Sequence, residues 1–186
     1  AKSLNTVAWQ VYEQVTPKVG LQYLKNMNFS SIVKDDYTLA TSLGGFTKGV
    51  SPLEMASAYA ALENDGMFRQ PNCIKSIVDA DENVVYSSQM AEVSIYEKDA
   101  TRTMTDVLTT VMDSGTGAAL KLSNMPCAGK TGTTNDHKDG WFVGYTRYYT
   151  TSVWVGCDYP KSISNLSGST YPGQIWNCLL YTSPSP

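Results

Sequence analysis

Apolar residues at Leu4, Val7, Ala8, Val11, Tyr12 and Val15 recur at helical spacing, so the pattern predicts a helix that begins almost at residue 1. Pro17 suits a first helical turn, and Val19, Tyr23, Leu24 and Met27 continue a second helix. A loop over 30–49 follows, marked by Gly44-Gly45 and Gly49. Ser51-Pro52-Leu53-Glu54 then carries the signs of a helix start: Ser as the cap, Pro at the first position and Glu at the third. This third helix runs through Met55, Ala58, Tyr59 and Leu62 and stops at Asn64-Asp65-Gly66. Residues 74–78 and 84–86 read as two strands joined by a polar turn over 79–83. A long helix is expected over 98–112, ending at Ser114-Gly115-Thr116-Gly117.

The last third changes character. Residues 127–134, 140–146 and 151–157 are β-rich runs with short polar connections, the pattern of an antiparallel meander. A closing helix fits 172–181, and 182–186 has the composition of a Ser/Pro linker tail. Helices first, then an antiparallel sheet with a returning helix, predict an α+β domain.

Composition narrows the function classes. With 42% apolar and 17% charged residues in 186, the chain is a single domain or a large piece of one and has enough apolar side chain for a core. A net charge of −3 without a basic run argues against a nucleic-acid partner. No stretch approaches the ~18 consecutive apolar residues of a membrane span. Tyrosine is the one excess, 12 against 4 Phe, which suggests half-wet aromatic surfaces around a cleft. Cys73, Cys127, Cys157 and Cys178 form no C-x-x-C pair and have no zinc-ligand spacing. Buried free thiols are the default reading; one disulfide in an oxidising compartment is the alternative.

Two short constellations carry candidate chemistry. In Ser3-Leu4-Asn5, a hydroxyl that can relay a proton and an amide that can bind a substrate carbonyl project from one helix-start turn. Alone, the pair reads better as a plain helix cap than as a site. The second is Ala128-Gly129-Lys130-Thr131-Gly132-Thr133-Thr134, a lysine in a strand flanked by glycines and hydroxyls. Alternation puts Thr131 and Thr133 on one face, where two hydroxyls can hold a carboxylate. Gly132 removes a side chain where a ligand must lie against the strand, and the Thr133 N–H can donate to a developing oxyanion. Lys130 adds positive charge that favours an anionic substrate and makes neighbouring proton donors more acidic. A phosphate-loop reading fails, because the first glycine of G-x-x-x-x-G-K-[ST] would fall at Asn124 and a strand follows. Asp136, His137 and Asp139 match no usual metal-site spacing and read as a solvated turn, so neither a metal nor another cofactor is expected.

The longer context adds a family. The run from Ala128-Gly129-Lys130-Thr131-Gly132-Thr133 to Gly140-Trp141-Phe142-Val143-Gly144-Tyr145-Thr146 resembles the third active-site strand of penicillin-binding proteins. Ser3-Leu4-Asn5-Thr6-Val7-Ala8 resembles their S-x-N motif. The stretch from Leu43-Gly44-Gly45-Phe46 to Ser51-Pro52-Leu53-Glu54-Met55-Ala56 is similar to the segment between those motifs in the bifunctional, class A enzymes. The motifs fall in the family's order over nearly the whole chain. The resemblance implies a fold like that of penicillin-binding proteins and serine β-lactamases, an antiparallel sheet with flanking helices. Residues 1–181 would form the C-terminal portion of a transpeptidase domain, incomplete on its N-terminal side.

The implied activity is D,D-transpeptidation, which cross-links peptidoglycan stem peptides through a serine acyl-enzyme and is trapped by β-lactam antibiotics. This chemistry uses an S-x-x-K nucleophile, an S-D-N-type motif and K-T-G. In the family the nucleophile lies upstream of S-x-N, so the resemblance places it on an N-terminal segment of the same protein outside this chain. The literal S-x-x-K string Ser31-Ile32-Val33-Lys34 follows S-x-N instead and reads as coincidence. By analogy Ser3, Asn5 and Lys130 are the catalytic candidates, and Thr131, Gly132 and Thr133 bind substrate. The resemblance further implies an upstream glycosyltransferase domain and a membrane anchor, with the catalytic domain extracellular or periplasmic. Without that upstream segment, the Ser3 helix and one face of the K-T-G strand would expose apolar surface that a complete domain buries. Three rival readings share the motifs: a serine β-lactamase, a D,D-carboxypeptidase and a non-catalytic cell-wall or β-lactam-binding module. None of the six glutamates is followed four residues later by Asn, which counts against a class A β-lactamase.

Overall fold

Two consecutive helices open the chain, α1 (Asn5–Val15) and α2 (Pro17–Asn26), separated by Thr16 alone, whose φ of 73° breaks the helical path. In this computed structural model, which describes residues 1–183, the apolar stripe of α1 is not covered. No residue of α1 is buried, and Leu4, Val7, Val11 and Val15 are all exposed. It packs on α2, where Gly20 leaves room for the ring of Tyr12, and on the turn Leu39–Leu43, where Thr41 Oγ1 lies 3.1 Å from the Tyr12 hydroxyl. The loop that follows contains two short 3-10 turns, Lys34–Asp36 and Leu39–Leu43, and ends at α3 (Pro52–Glu63). The expected capping box is present: the Glu54 N–H donates to Ser51 Oγ at 3.2 Å and the Ser51 N–H donates to Glu54 Oε2 at 2.8 Å. Glu54 Oε1 also accepts the Ser30 N–H at 2.8 Å, so one carboxylate closes both the helix start and the loop before it.

Asp36 holds that loop. Its side chain is buried and accepts the Thr47 N–H and hydroxyl, each at 2.7 Å, and the Val33 N–H at 2.8 Å. The Thr47 N–H, followed by that of Val33, lowers the Asp36 carboxyl below its usual 3.8. A lowered folded-state pKa stabilises the fold above the unfolded-state value, and that stability is lost as pH falls through the folded-state value. Asp36→Asn is therefore expected to destabilise the protein at neutral pH, with the gap to wild type closing in acid. Denaturant unfolding followed from about pH 7 to about pH 2 checks this; a constant gap would contradict it.

The central segment is nested. β1 (Met67–Arg69) pairs antiparallel with β4 (Glu92–Ser94), and between them β2 (Ser76–Val78) and β3 (Val84–Ser87) form the expected hairpin. The outer pair was not legible in the sequence, because three-residue strands carry no periodicity. α4 (Lys98–Ser114) leads to the meander β5 (Ala128–Thr133), β6 (Gly140–Tyr145) and β7 (Thr150–Val155), a sheet in sequential order with β5 at one edge. α5 (Tyr171–Thr182) closes the fold. The tail expected over 182–186 thus starts with a residue still in the helix, and 184–186 lie outside the described residues.

Register decides what each sheet face meets. Thr131, Phe142 and Val153 are aligned across the three strands, and that face packs on α5 and the end of α4. Its core is Met112, Leu120, Leu122, Cys127, Phe142, Trp176 and Leu180. The opposite face carries Ala128, Lys130 and Tyr145, and there Ala128 and Tyr145 pack on Leu108 of α4 and Tyr59 and Leu62 of α3. The cysteine reading needs correction: all four thiols are free, but only Cys127 is buried, with Cys157 intermediate and Cys73 and Cys178 exposed. Among the described residues no helix is long and apolar enough to cross a membrane.

Candidate active site

Alternation along β5 sends Lys130 to the α3/α4 face of the sheet and Thr131 and Thr133 to the α5 face. Because β5 is an edge strand, these side chains straddle a free backbone edge. Ser3 arrives from the other end of the sequence, just before α1, in the left-handed region at φ 50°. Lys130 Nζ donates to Ser3 Oγ at 2.6 Å and to the Thr131 carbonyl at 2.8 Å. Ser3 is thus no plain helix cap; its hydroxyl oxygen is held by an ammonium 127 residues away. With the oxygen accepting from Lys130, the Ser3 proton is free to point into the cleft.

Lys130 is half-buried, and the loss of solvent pushes its ammonium below the usual 10.5. No carboxylate pairs with it among the described residues, so its charge is directed at Ser3 and the Thr131 carbonyl. Asn5 opens α1 on the exposed side, and its side-chain amide makes no hydrogen bond to protein among the described residues.

The two threonines are both engaged. Thr131 Oγ1 lies 2.6 Å from Thr116 Oγ1, and Thr133 Oγ1 accepts the Gly168 N–H at 3.0 Å. The sequence held no pointer to Gly168, and Thr116 was read there only as part of a helix stop. Gly132 lies beside Trp141, and a Cβ there would come within 3.1 Å of the Trp141 Cβ. Its lack of a side chain therefore serves the packing of Trp141 as well as access to the strand.

Ser31 stands apart from this cluster. Ser31-Ile32-Val33 has no regular structure and Lys34 begins a 3-10 turn, so the literal S-x-x-K string does not present its two ends from a helix. The turn after β5 is built from its own polar groups. Asp139 Oδ1 accepts Trp154 Nε1–H at 3.0 Å, and the Asp139 N–H donates to Thr134 Oγ1 at 2.8 Å. His137 Nδ1 lies 2.7 Å from the Leu166 carbonyl, which can only accept, so that nitrogen carries a proton.

A family model described as the penicillin binding protein transpeptidase domain matches residues 1–175. Over 174 residues the chain is 34% identical to penicillin-binding protein 4 of Bacillus subtilis (strain 168), covering 94% of this chain and 28% of that protein. It is 36% identical over 177 residues to penicillin-binding protein 1A of Aquifex aeolicus (strain VF5), covering 95% and 24%. The solved structure of the PonA1 protein from Mycobacterium tuberculosis in complex with penicillin V matches with a TM-score of 0.71 and 26% identity, over 88% of this chain and 50% of that one. The chain spans only 28% and 24% of the two curated relatives. The α+β architecture, the edge strand with its K-T-G and these matches agree, and the chain belongs to the penicillin-binding-protein transpeptidase family, of the class A type.

Proposed function

We propose that this chain supplies the acid and substrate-binding half of a serine D,D-transpeptidase, with the nucleophile on an upstream S-x-x-K segment of the same protein. The observation that carries this is the 2.6 Å hydrogen bond from Lys130 to Ser3, which joins the two motifs across 127 residues. In the proposed reaction, the upstream serine gives its proton to the lysine of its own S-x-x-K segment, its oxygen attacks the penultimate D-Ala carbonyl of a stem peptide, and the peptide C–N bond breaks as D-Ala leaves. Ser3 passes a proton to the departing amine, and the donated Lys130 N–H makes that hydroxyl a better acid. A second stem's amine then attacks the ester carbonyl and releases the serine.

Asn5 would hold the substrate amide, and Thr131 and Thr133 its terminal carboxylate. The Thr133 N–H would provide half of the oxyanion site. β-Lactams would acylate the same serine. The full protein would be membrane-anchored, with this domain extracellular or periplasmic and a glycosyltransferase domain upstream.

Fluorescent penicillin, a denaturing gel and intact mass on each band test the reading. Label is expected on the upstream serine, in whichever polypeptide carries the S-x-x-K segment. Label on Ser31, or none on the assembled protein, would overturn it. The Lys130–Ser3 bond also favours an active enzyme over a non-catalytic binding module, since binding alone gives no reason to polarise a serine hydroxyl.

A further inference from the structure

Thr116 sits between the two halves of the site. It follows α4 in the Ser114-Gly115-Thr116-Gly117 loop and bonds to both sides of the cleft. Its N–H donates to the Ala1 carbonyl at 3.2 Å, two residues before Ser3. Its hydroxyl lies 2.6 Å from that of Thr131, next to Lys130 on the strand. The preceding residue has to be small, because a Cβ at Gly115 would stand 2.6 Å from the Ala1 oxygen. The loop therefore lies flat against the Ser3 segment and presents the Thr116 hydroxyl to β5.

The proton arrangement gives the contact a direction. Thr131 can donate to a ligand carboxylate only if its own proton is not used elsewhere. A Thr116 proton donated to Thr131 Oγ1 fills an acceptor site on that oxygen and leaves the Thr131 O–H for the ligand. We propose that Thr116 is a positioning residue that orients the Thr131 hydroxyl toward the carboxylate of the substrate, and so sets the preference for a substrate ending in a free carboxylate. This role rests on the transpeptidase reading above.

The test uses the full-length protein carrying this chain and its nucleophile segment. Acylation rates are measured with benzylpenicillin and with its methyl ester, which has the same ring but no charged carboxylate. Wild type is expected to react faster with the acid. Thr116→Val keeps the branched shape and is expected to slow acylation by the acid about tenfold, the scale of one charge-assisted hydrogen bond, while the ester rate changes little. Thr116→Ser is expected to restore the acid-to-ester ratio to within about threefold of wild type, since it returns the hydroxyl that makes that bond. An unchanged ratio in Thr116→Val, or an equal fall for both probes, would overturn the role and leave Thr116 a structural tie. A wild-type protein that neither probe acylates would instead overturn the transpeptidase reading, and this role with it.

Discussion

Replacing Lys130 by methionine is expected to slow penicillin acylation of the full-length protein by about 10²–10⁴-fold, the range for losing positioned acid–base help or a preorganised donor. Methionine keeps most of the aliphatic stem that β5 half-buries and removes only the ammonium. Two hydrogen bonds go with it, to Ser3 Oγ and to the Thr131 carbonyl. Ser3 is exposed and Thr131 only half-buried, so water can replace the donor and the folded state is little affected. The thermal midpoint should move by a few degrees at most while acylation collapses. A fall of less than about tenfold would remove Lys130 from the machinery, because one ordinary hydrogen bond explains that much.

The same residue sets a pH signature. Burial lowers the Lys130 pKa, so the ammonium loses its proton at a lower pH than an exposed lysine would. Wild-type acylation should therefore decline on the alkaline side before the usual lysine value of 10.5, and Lys130→Met should lack that decline. For stability the linkage runs the other way: the desolvation cost of the charged form is present at low pH and is relieved as pH rises through the lowered value.

What the sequence made legible had short-range causes. The Ser51–Glu54 box declares its own helix start, because both hydrogen bonds close within one turn. β5 to β7 are runs rich in β-forming residues, and the polar connections between them are short. The two halves of the candidate site were visible as motifs, but nothing local says that Ser3 and Lys130 touch. What stayed hidden depends on partners far along the chain. β1 needs β4, whose Glu92–Ser94 pairs antiparallel with Met67–Arg69, and Asp36 acquires its purpose from Thr47, 11 residues on. Thr116 looked like punctuation because its partners, Ala1 and Thr131, lie on other elements. The thiols misled because cysteine's general tendency to burial says nothing about Cys73 or Cys178, whose neighbours happen to leave them exposed.

The α5 face of the sheet holds the second large expected effect. Trp176 is fully buried, its ring lies 4.8 Å from that of Phe142 at 52°, and its Nε1–H donates to the Gly144 carbonyl at 3.2 Å. Gly144 has no side chain for a reason, since a Cβ there would come within 2.9 Å of the indole. Trp176→Ala would leave a cavity lined by Phe142, Leu120 and Leu180 that a glycine-backed strand cannot refill. The expected loss is about 3–5 kcal/mol, a large share of a typical domain's stability. In a domain of this size that lowers the thermal midpoint by roughly 10 °C. Function should follow, because Thr133 is tied through the Gly168 N–H to the loop that feeds α5. A helix that has lost its anchor no longer fixes that loop, so acylation should fall even well below the midpoint. Trp176→Phe keeps an aromatic contact with Phe142 and loses the indole donor, and it should recover most of the stability. Thermal unfolding of the three proteins checks the order wild type, then Phe, then Ala. Equal midpoints would mean that the sheet is held by α3 and α4 alone.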